Sequence, residues 1–240
     1  MTERKIEQHF EDQAQRILEY LKTKIRYDHD FIPRPFLIEF TGSPSSGKTT
    51  CITELDKFLR RQGFRVLRPQ EGAEVIRHIP RTTPEYNIRT ALYALSMVID
   101  YSYGHTYDVV IFDRGLFDSY VWMEYWQEKS KLNESEKALI QSFFLSKIWI
   151  QRLDIAYIVT CDAEVAMQRE MKIALSSKLG ETSNPETMRT LAKRYDDAYA
   201  ILKPDYNQLQ LINTTNLPED EMVQMIARNT LDILEGKIKR

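Results

Sequence analysis

Phe36-Leu-Ile-Glu-Phe-Thr-Gly42-Ser-Pro-Ser-Ser-Gly47-Lys48-Thr49-Thr50 joins a short apolar run to a complete G-x-x-x-x-G-K-T. This is the spelling of a loop that wraps a polyphosphate. Gly42 and Gly47 let the backbone N–H groups between them, including those of Ser43, Ser45 and Ser46, turn inward. Lys48 can then reach the β- and γ-oxygens, and the Thr49 hydroxyl can ligate Mg²⁺. The helix that follows, with Thr50 in its first turn, points its positive end at the same anions. A chance Gly/Ser turn would require neither the Lys-Thr pair after Gly47 nor a strand-like run ending at Thr41.

Composition sets the frame around that loop. With 240 residues, 42% of them hydrophobic, the chain can bury a sizeable core, and its length fits one α/β domain with additions better than two domains. The formal net charge of -2 argues against a protein that coats nucleic acid or a membrane surface, while leaving room for a local basic pocket. Cys51 and Cys161 are too few and too far apart for a disulfide scaffold or a metal site. The N-terminal residues are charged throughout, and no apolar run approaches the roughly 18 residues of a membrane span, so a soluble cytoplasmic protein is expected.

Along the chain, Ile6, Phe10, Ile17, Leu18, Leu21 and Ile25 recur at helical spacing, predicting an amphipathic helix over residues 3–26. Packing on the core is the simple reading of this extension; a homodimer or partner-binding helix is the sharper one. Pro33 and Pro35 separate it from the loop-bearing strand, so residues 1–32 are read as an addition and 33–240 as the nucleotide-binding domain. A helix to about Arg61, with Gly63 as its stop, leads to a second strand over Phe64–Arg68. Its exit, Pro69-Gln-Glu71-Gly72-Ala-Glu74, should lie beside the phosphate loop in a doubly wound sheet. Residues 85–103 have helical spacing.

Asp108-Val-Val-Ile-Phe112-Asp113-Arg114-Gly115 is the second strong signal. A buried strand ending in an acid suits a carboxylate that holds Mg²⁺ directly or through water. Motor-type ATPases usually follow that acid with a water-activating Glu; here Arg114 follows, and its planar fork suits phosphate instead. A fourth strand is expected at Ile155–Thr160, then a helix carrying Arg169 and Lys172, a polar loop from Ser176 to Pro185 containing Lys178, and a helix over Glu186–Leu202. A fifth strand at Gln208–Asn213 and a last helix to about Gly236 complete a parallel sheet covered on both faces.

Gly42-x-x-x-x-Gly47-Lys48-Thr49, Pro69-Gln-Glu71-Gly72, Asp113-Arg114-Gly115-Leu-Phe-Asp118-Ser119-Tyr120 and Asp162-Ala-Glu-Val-Ala-Met-Gln-Arg169 together resemble the P-loop nucleoside and nucleotide kinases, nearest to the thymidylate-kinase-like group and related small AAA-labelled kinase domains. The resemblance implies a three-layer core with a five-stranded parallel sheet, ATP on the loop, Mg²⁺ held by Thr49 and Asp113, and a helical lid over about 163–190. It implies that Lys48 binds phosphate, Arg114 touches acceptor or phosphoryl oxygens, Arg169 supplies the lid charge, with Lys172 or Lys178 as further candidates, and Glu71 acts as base toward an acceptor hydroxyl. Thymidylate kinases usually carry an Arg in the middle helix for the acceptor phosphate. Ala91–Val98 has none, so either Arg89 replaces it or the acceptor lacks that phosphate.

Tyr120, Trp122, Tyr125 and Trp126 could stack an acceptor ring, though a helix packed on the sheet would show the same pattern and core is favoured. Asn216, in the final loop, is a candidate adenine contact. Two function classes follow: a phosphotransferase acting on a small acceptor, nucleoside or nucleotide, and a nucleotide-dependent switch or NTPase that binds a protein or nucleic-acid partner. An N-K-x-D base-reading motif is absent, which speaks against a GTPase. A polynucleotide 5′-hydroxyl kinase is a third reading that the slightly acidic net charge does not favour.

Overall fold

Side-chain alternation along the strands decides how the layers form. In the computed structural model, which describes residues 3–27, 35–173 and 184–238, the strand β1 (Phe36–Gly42) sends Phe36, Ile38 and Phe40 into one apolar core and Leu37 into another on the opposite face. Strands β3 (Val109–Asp113) and β4 (Ile155–Thr160) alternate in the same way, each buried on both faces as a covered parallel sheet requires. With β2 (Val66–Leu67) and β5 (Leu209–Asn213) they form a five-stranded, all-parallel sheet in the order β2-β3-β1-β4-β5. This is the three-layer P-loop NTPase architecture expected from the strand runs.

The helices are α1 (Glu3–Tyr27), α2 (Lys48–Arg61), α3 (Gly72–Val75), α4 (Pro84–Tyr101), α5 (Leu116–Glu128), α6 (Glu134–Phe144), α7 (Lys147–Ile150), α8 (Ala163–Ile173), α9 (Pro185–Leu202) and α10 (Glu219–Ile238). Helices α1, α2 and α10 cover one face of the sheet; α4, α5 and α9 cover the other. Among the described residues, no helix is long and apolar enough to cross a membrane.

Three local departures from the sequence pattern have identifiable causes. Strand β2 is shorter than Phe64–Arg68. Gly63, at φ 96, closes the α2 C-terminus, and the Phe64 N–H still bonds back to Leu59, so pairing starts only at Val66. Helices α6 and α7 were not marked by apolar spacing, yet the α6 start carries a readable signal: Asn133 and Glu136 form a capping box. Of the expected lid loop, Lys178 and Gly180 lie outside the described residues.

Helix α1 packs into the core. Phe10, Ala14, Ile17, Leu18 and Leu21 are buried in the same cluster as β1 and α10, and Gln13 donates to Asp232 at 2.9 Å on α10. The side chains of Ile6 and Ile25 lie outside those described. Ile17→Ala is expected to cost about 2–4 kcal/mol of unfolding free energy by chemical denaturation. A loss below about 0.5 kcal/mol would mean that the helix is only loosely attached.

Candidate active site

The loop between β1 and α2 is shaped by one steric exclusion. A Cβ on Gly42, whose φ is 154, would sit 2.0 Å from the Val159 carbonyl oxygen, so only glycine lets β1 pass that close to β4 and turn. Gly47 (φ 91) and Ser45 (φ 55) complete the curve in left-handed conformations. The Cys51 N–H bonds to Gly47 O at 3.0 Å and starts α2. The hydroxyls of Ser43 and Ser46 are buried with no hydrogen-bond partner among the described residues, as a site built for incoming oxygens would leave them.

Lys48 is buried, with its ammonium against Asp113 Oδ1 at the end of β3. Thr49 is exposed and Thr50 half-buried. On the far side, Arg169 of α8 donates to Thr214 Oγ1 at 2.9 Å and to Thr214 O at 2.8 Å, while Thr214 Oγ1 donates to Ser46 O at 2.7 Å. Arg169 is thereby held against the loop beside Gly47. Glu170, its neighbour, accepts from the Ser45 hydroxyl. In the loop after β5 it is Thr214 that touches the phosphate loop, and Asn216 is exposed. Lys172 is exposed at the end of α8.

Beside this loop lies a cavity of about 310 Å³, at the small end of ligand pockets. Glu71, Tyr86, Met97, Asp113, Arg114, Asp118 and Trp122 are among the residues that line it. Arg114 has φ 66, a left-handed conformation uncommon for a residue with a Cβ. Its guanidinium reaches Glu71 through Nε at 3.0 Å and Asp118 through Nη1 at 3.0 Å. Asp118 Oδ1 also accepts from Thr41 Oγ1 and from the Tyr195 hydroxyl at 2.6 Å. Burial raises Glu71 above its ordinary value; Arg114 pulls it back and Asp113 pushes it further up. Burial works against the charge on Arg114, but Asp118, Tyr195, Glu71 and Asp113 outweigh it and hold the guanidinium charged.

The structure therefore brings together Lys48, Asp113, Arg114 and Glu71, and places Arg169 across the loop. It does not bring Arg89 to the pocket: that side chain is exposed on α4, while Arg81, just before the helix, lines the mouth. Tyr125 and Trp126 are core residues, Tyr120 is half-buried, and Trp122 faces both core and pocket.

Sequence reasoning missed Glu39. It shares the sheet face of Leu37 and Thr41, is fully buried, and accepts backbone N–H bonds from Leu116 at 2.9 Å, Phe117 at 3.0 Å and Asp118 at 3.3 Å. An acid inside an otherwise apolar strand run was the available signal. Desolvation, then the neighbouring Asp118, raises its pKa from 4.5 to about 8, against the pull of those N–H bonds. Unfolded, Glu39 ionises near its ordinary value; folded, it keeps its proton to about pH 8. Folded chains thus bind the extra proton, and this contribution to stability falls as pH rises between the two values. Denaturation at pH 5 and pH 8 is expected to show a shallower decline in Glu39→Gln than in the wild type. Equal declines would place the proton elsewhere.

A family model described as an AAA domain matches residues 37–206. No curated protein matches the chain. Among solved structures, deoxyadenosine kinase from M. mycoides with the products dCMP and a flexible dCDP bound is similar at 18% identity and TM-score 0.59, covering 82% of this chain and 99% of that one. The same enzyme with bound dATP is similar at 17% identity and TM-score 0.55, covering 82% of this chain and 100% of that one. At that identity the likeness establishes the fold alone, a P-loop α/β core.

Proposed function

The chain belongs to the AAA domain family, and from that premise we propose that it is an ATP- and Mg²⁺-dependent phosphotransferase acting on a hydroxyl of a small acceptor, a nucleoside or related metabolite. The observation that carries this reading is the Arg114–Glu71 pair, which presents a carboxylate to a pocket beside the Lys48–Asp113 end of the phosphate loop. That the similar M. mycoides enzyme is a deoxyadenosine kinase supports a nucleoside-like acceptor.

In this reading Glu71 takes the proton from the acceptor hydroxyl as its oxygen attacks the γ-phosphorus and the bond to ADP breaks. Arg114 holds one oxygen of Glu71, leaving the other for the proton. Lys48 exchanges Asp113 for phosphate oxygens and spreads the charge of the transferring group. Mg²⁺ needs few protein ligands when it also takes phosphate and water oxygens. Thr49 and Asp113 fit as the two that would hold it, and the ion would neutralise charge on the β- and γ-oxygens. Arg169, braced by Thr214, would add a cation on the side of the lid, about 163–190.

A nucleotide acceptor is the second reading, favoured by Arg81, which lines the pocket with no carboxylate partner among the described residues. A phosphate acceptor is already ionised and needs no base. Glu71→Gln separates the two: with a hydroxyl acceptor, turnover is expected to fall about 10²- to 10⁴-fold and the acidic limb of the pH profile to vanish, with ATP affinity little changed. That limb should sit above the ordinary glutamate range, because burial raises Glu71. Turnover within about threefold of wild type would point to the phosphate acceptor. Lys48→Ala is expected to abolish transfer while the melting temperature stays within a few degrees; unchanged turnover would sink the site assignment.

A further inference from the structure

We infer that Glu39 is a positioning residue for the transfer reaction: from beneath the pocket it fixes the 114–118 turn to β1 and so aims Arg114 at Glu71. This rests on the phosphotransferase reading for its kinetic consequence, not for its geometry.

A fully buried acid in the central strand is a poor choice for stability alone, since an apolar side chain of similar size would avoid its desolvation. Nor does α5 need a distant cap. An N-cap Ser, Asp or Asn at position 115 would serve a 13-residue helix in the usual way. That solution is closed here, because a Cβ at Gly115 would lie 2.6 Å from the Glu39 carboxyl carbon. The chain gives up a local cap and takes a carboxyl from the neighbouring strand.

The result is a turn whose backbone is pinned to β1. The Arg114 N–H bonds to Phe40 O at 2.8 Å, and the next N–H groups, from Leu116 to Asp118, all bond to Glu39. Between these anchors Arg114 keeps its φ of 66, which costs free energy for a residue with a Cβ and would relax if the anchors loosened. Its side chain is bound at both ends, by Asp118 on the anchored turn and by Glu71 on the loop after β2. Asp118 sits on the pinned turn and accepts from Thr41, two residues beyond Glu39 on the same face; Glu71 lies opposite at 3.0 Å. A shift of the turn by about 1 Å would carry Arg114 away from Glu71, and displacements of that size are worth about 100-fold in rate.

Glu39→Gln keeps the volume but replaces one acceptor oxygen with an amide nitrogen that cannot receive an N–H. The variant is expected to bind an ATP analogue within about threefold of wild type and to lose about 10- to 100-fold in kcat with less than about threefold change in acceptor KM. In an Arg114→Lys background, the same substitution is expected to cost less than about threefold, because the loss runs through Arg114. Equal losses in both backgrounds, or a parallel loss of ATP affinity, would overturn the inference.

Two further measurements keep it testable. Should Glu39→Gln fail to fold, Gly115→Ala presses a Cβ onto the same carboxyl with Glu39 intact, and the same kcat-selective loss is expected. Independently of turnover, the Arg114 Nε signal in ¹⁵N NMR, whose nitrogen lies 3.0 Å from the Glu71 carboxylate, is expected to shift in Glu39→Gln. A signal unmoved overturns the positioning role even in a chain that transfers nothing, whereas a wild type without transfer overturns only the phosphotransferase reading.

Discussion

The central position of β1, bonded to β3 on one side and β4 on the other, constrains everything at the site. Its close passage past Val159 leaves room only for glycine at position 42, and that exclusion sets where the phosphate loop begins. Its alternation sends Phe36, Ile38 and Phe40 toward the core shared with α1 and α10, and Leu37, Glu39 and Thr41 toward α5. One strand thus supports both halves of the candidate site: the loop at its end, and the Asp113–Asp118 turn along its side.

Charge at the site is arranged in alternation. Lys48 meets Asp113, and Arg114 meets Glu71 and Asp118, so each buried cation has a carboxylate and each carboxylate is held in a defined direction. In the proposed function a polyphosphate entering the loop would compete with Asp113 for Lys48, while the Arg114 pairs lie on the pocket side and need not open. In the proposed phosphotransferase, donor binding and acceptor activation would rest on separate ion pairs that meet at consecutive residues, Asp113 and Arg114.

What could be read from the sequence follows from how local each signal is. The phosphate loop is legible because its chemistry is written in eight consecutive residues, and the strands because burial on both faces leaves unbroken apolar runs. Asp113 and Arg114 follow from their place at a strand end. Glu39 was hidden because its surroundings depend on Gly115, a residue 76 positions away in sequence, where an added Cβ would lie 2.6 Å from the Glu39 carboxyl carbon. Helix α5 is apolar nearly all round, buried between the sheet, α4, α6 and α9, and shows no one-sided stripe, so its aromatic run fits a packed helix and a ring-stacking site alike. Arg81, placed at the pocket mouth by the turn before α4, could not be told from an ordinary surface charge.

The most direct measurement is transfer of label from γ-³²P-ATP with Mg²⁺ to a panel of nucleosides, nucleotides and sugar nucleotides, read by chromatography of the products. A phosphorylated small acceptor is the expected result, and its identity decides between hydroxyl and phosphate. Steady release of labelled phosphate with no labelled acceptor across the panel would contradict a kinase and leave a nucleotide-hydrolysing switch in its place.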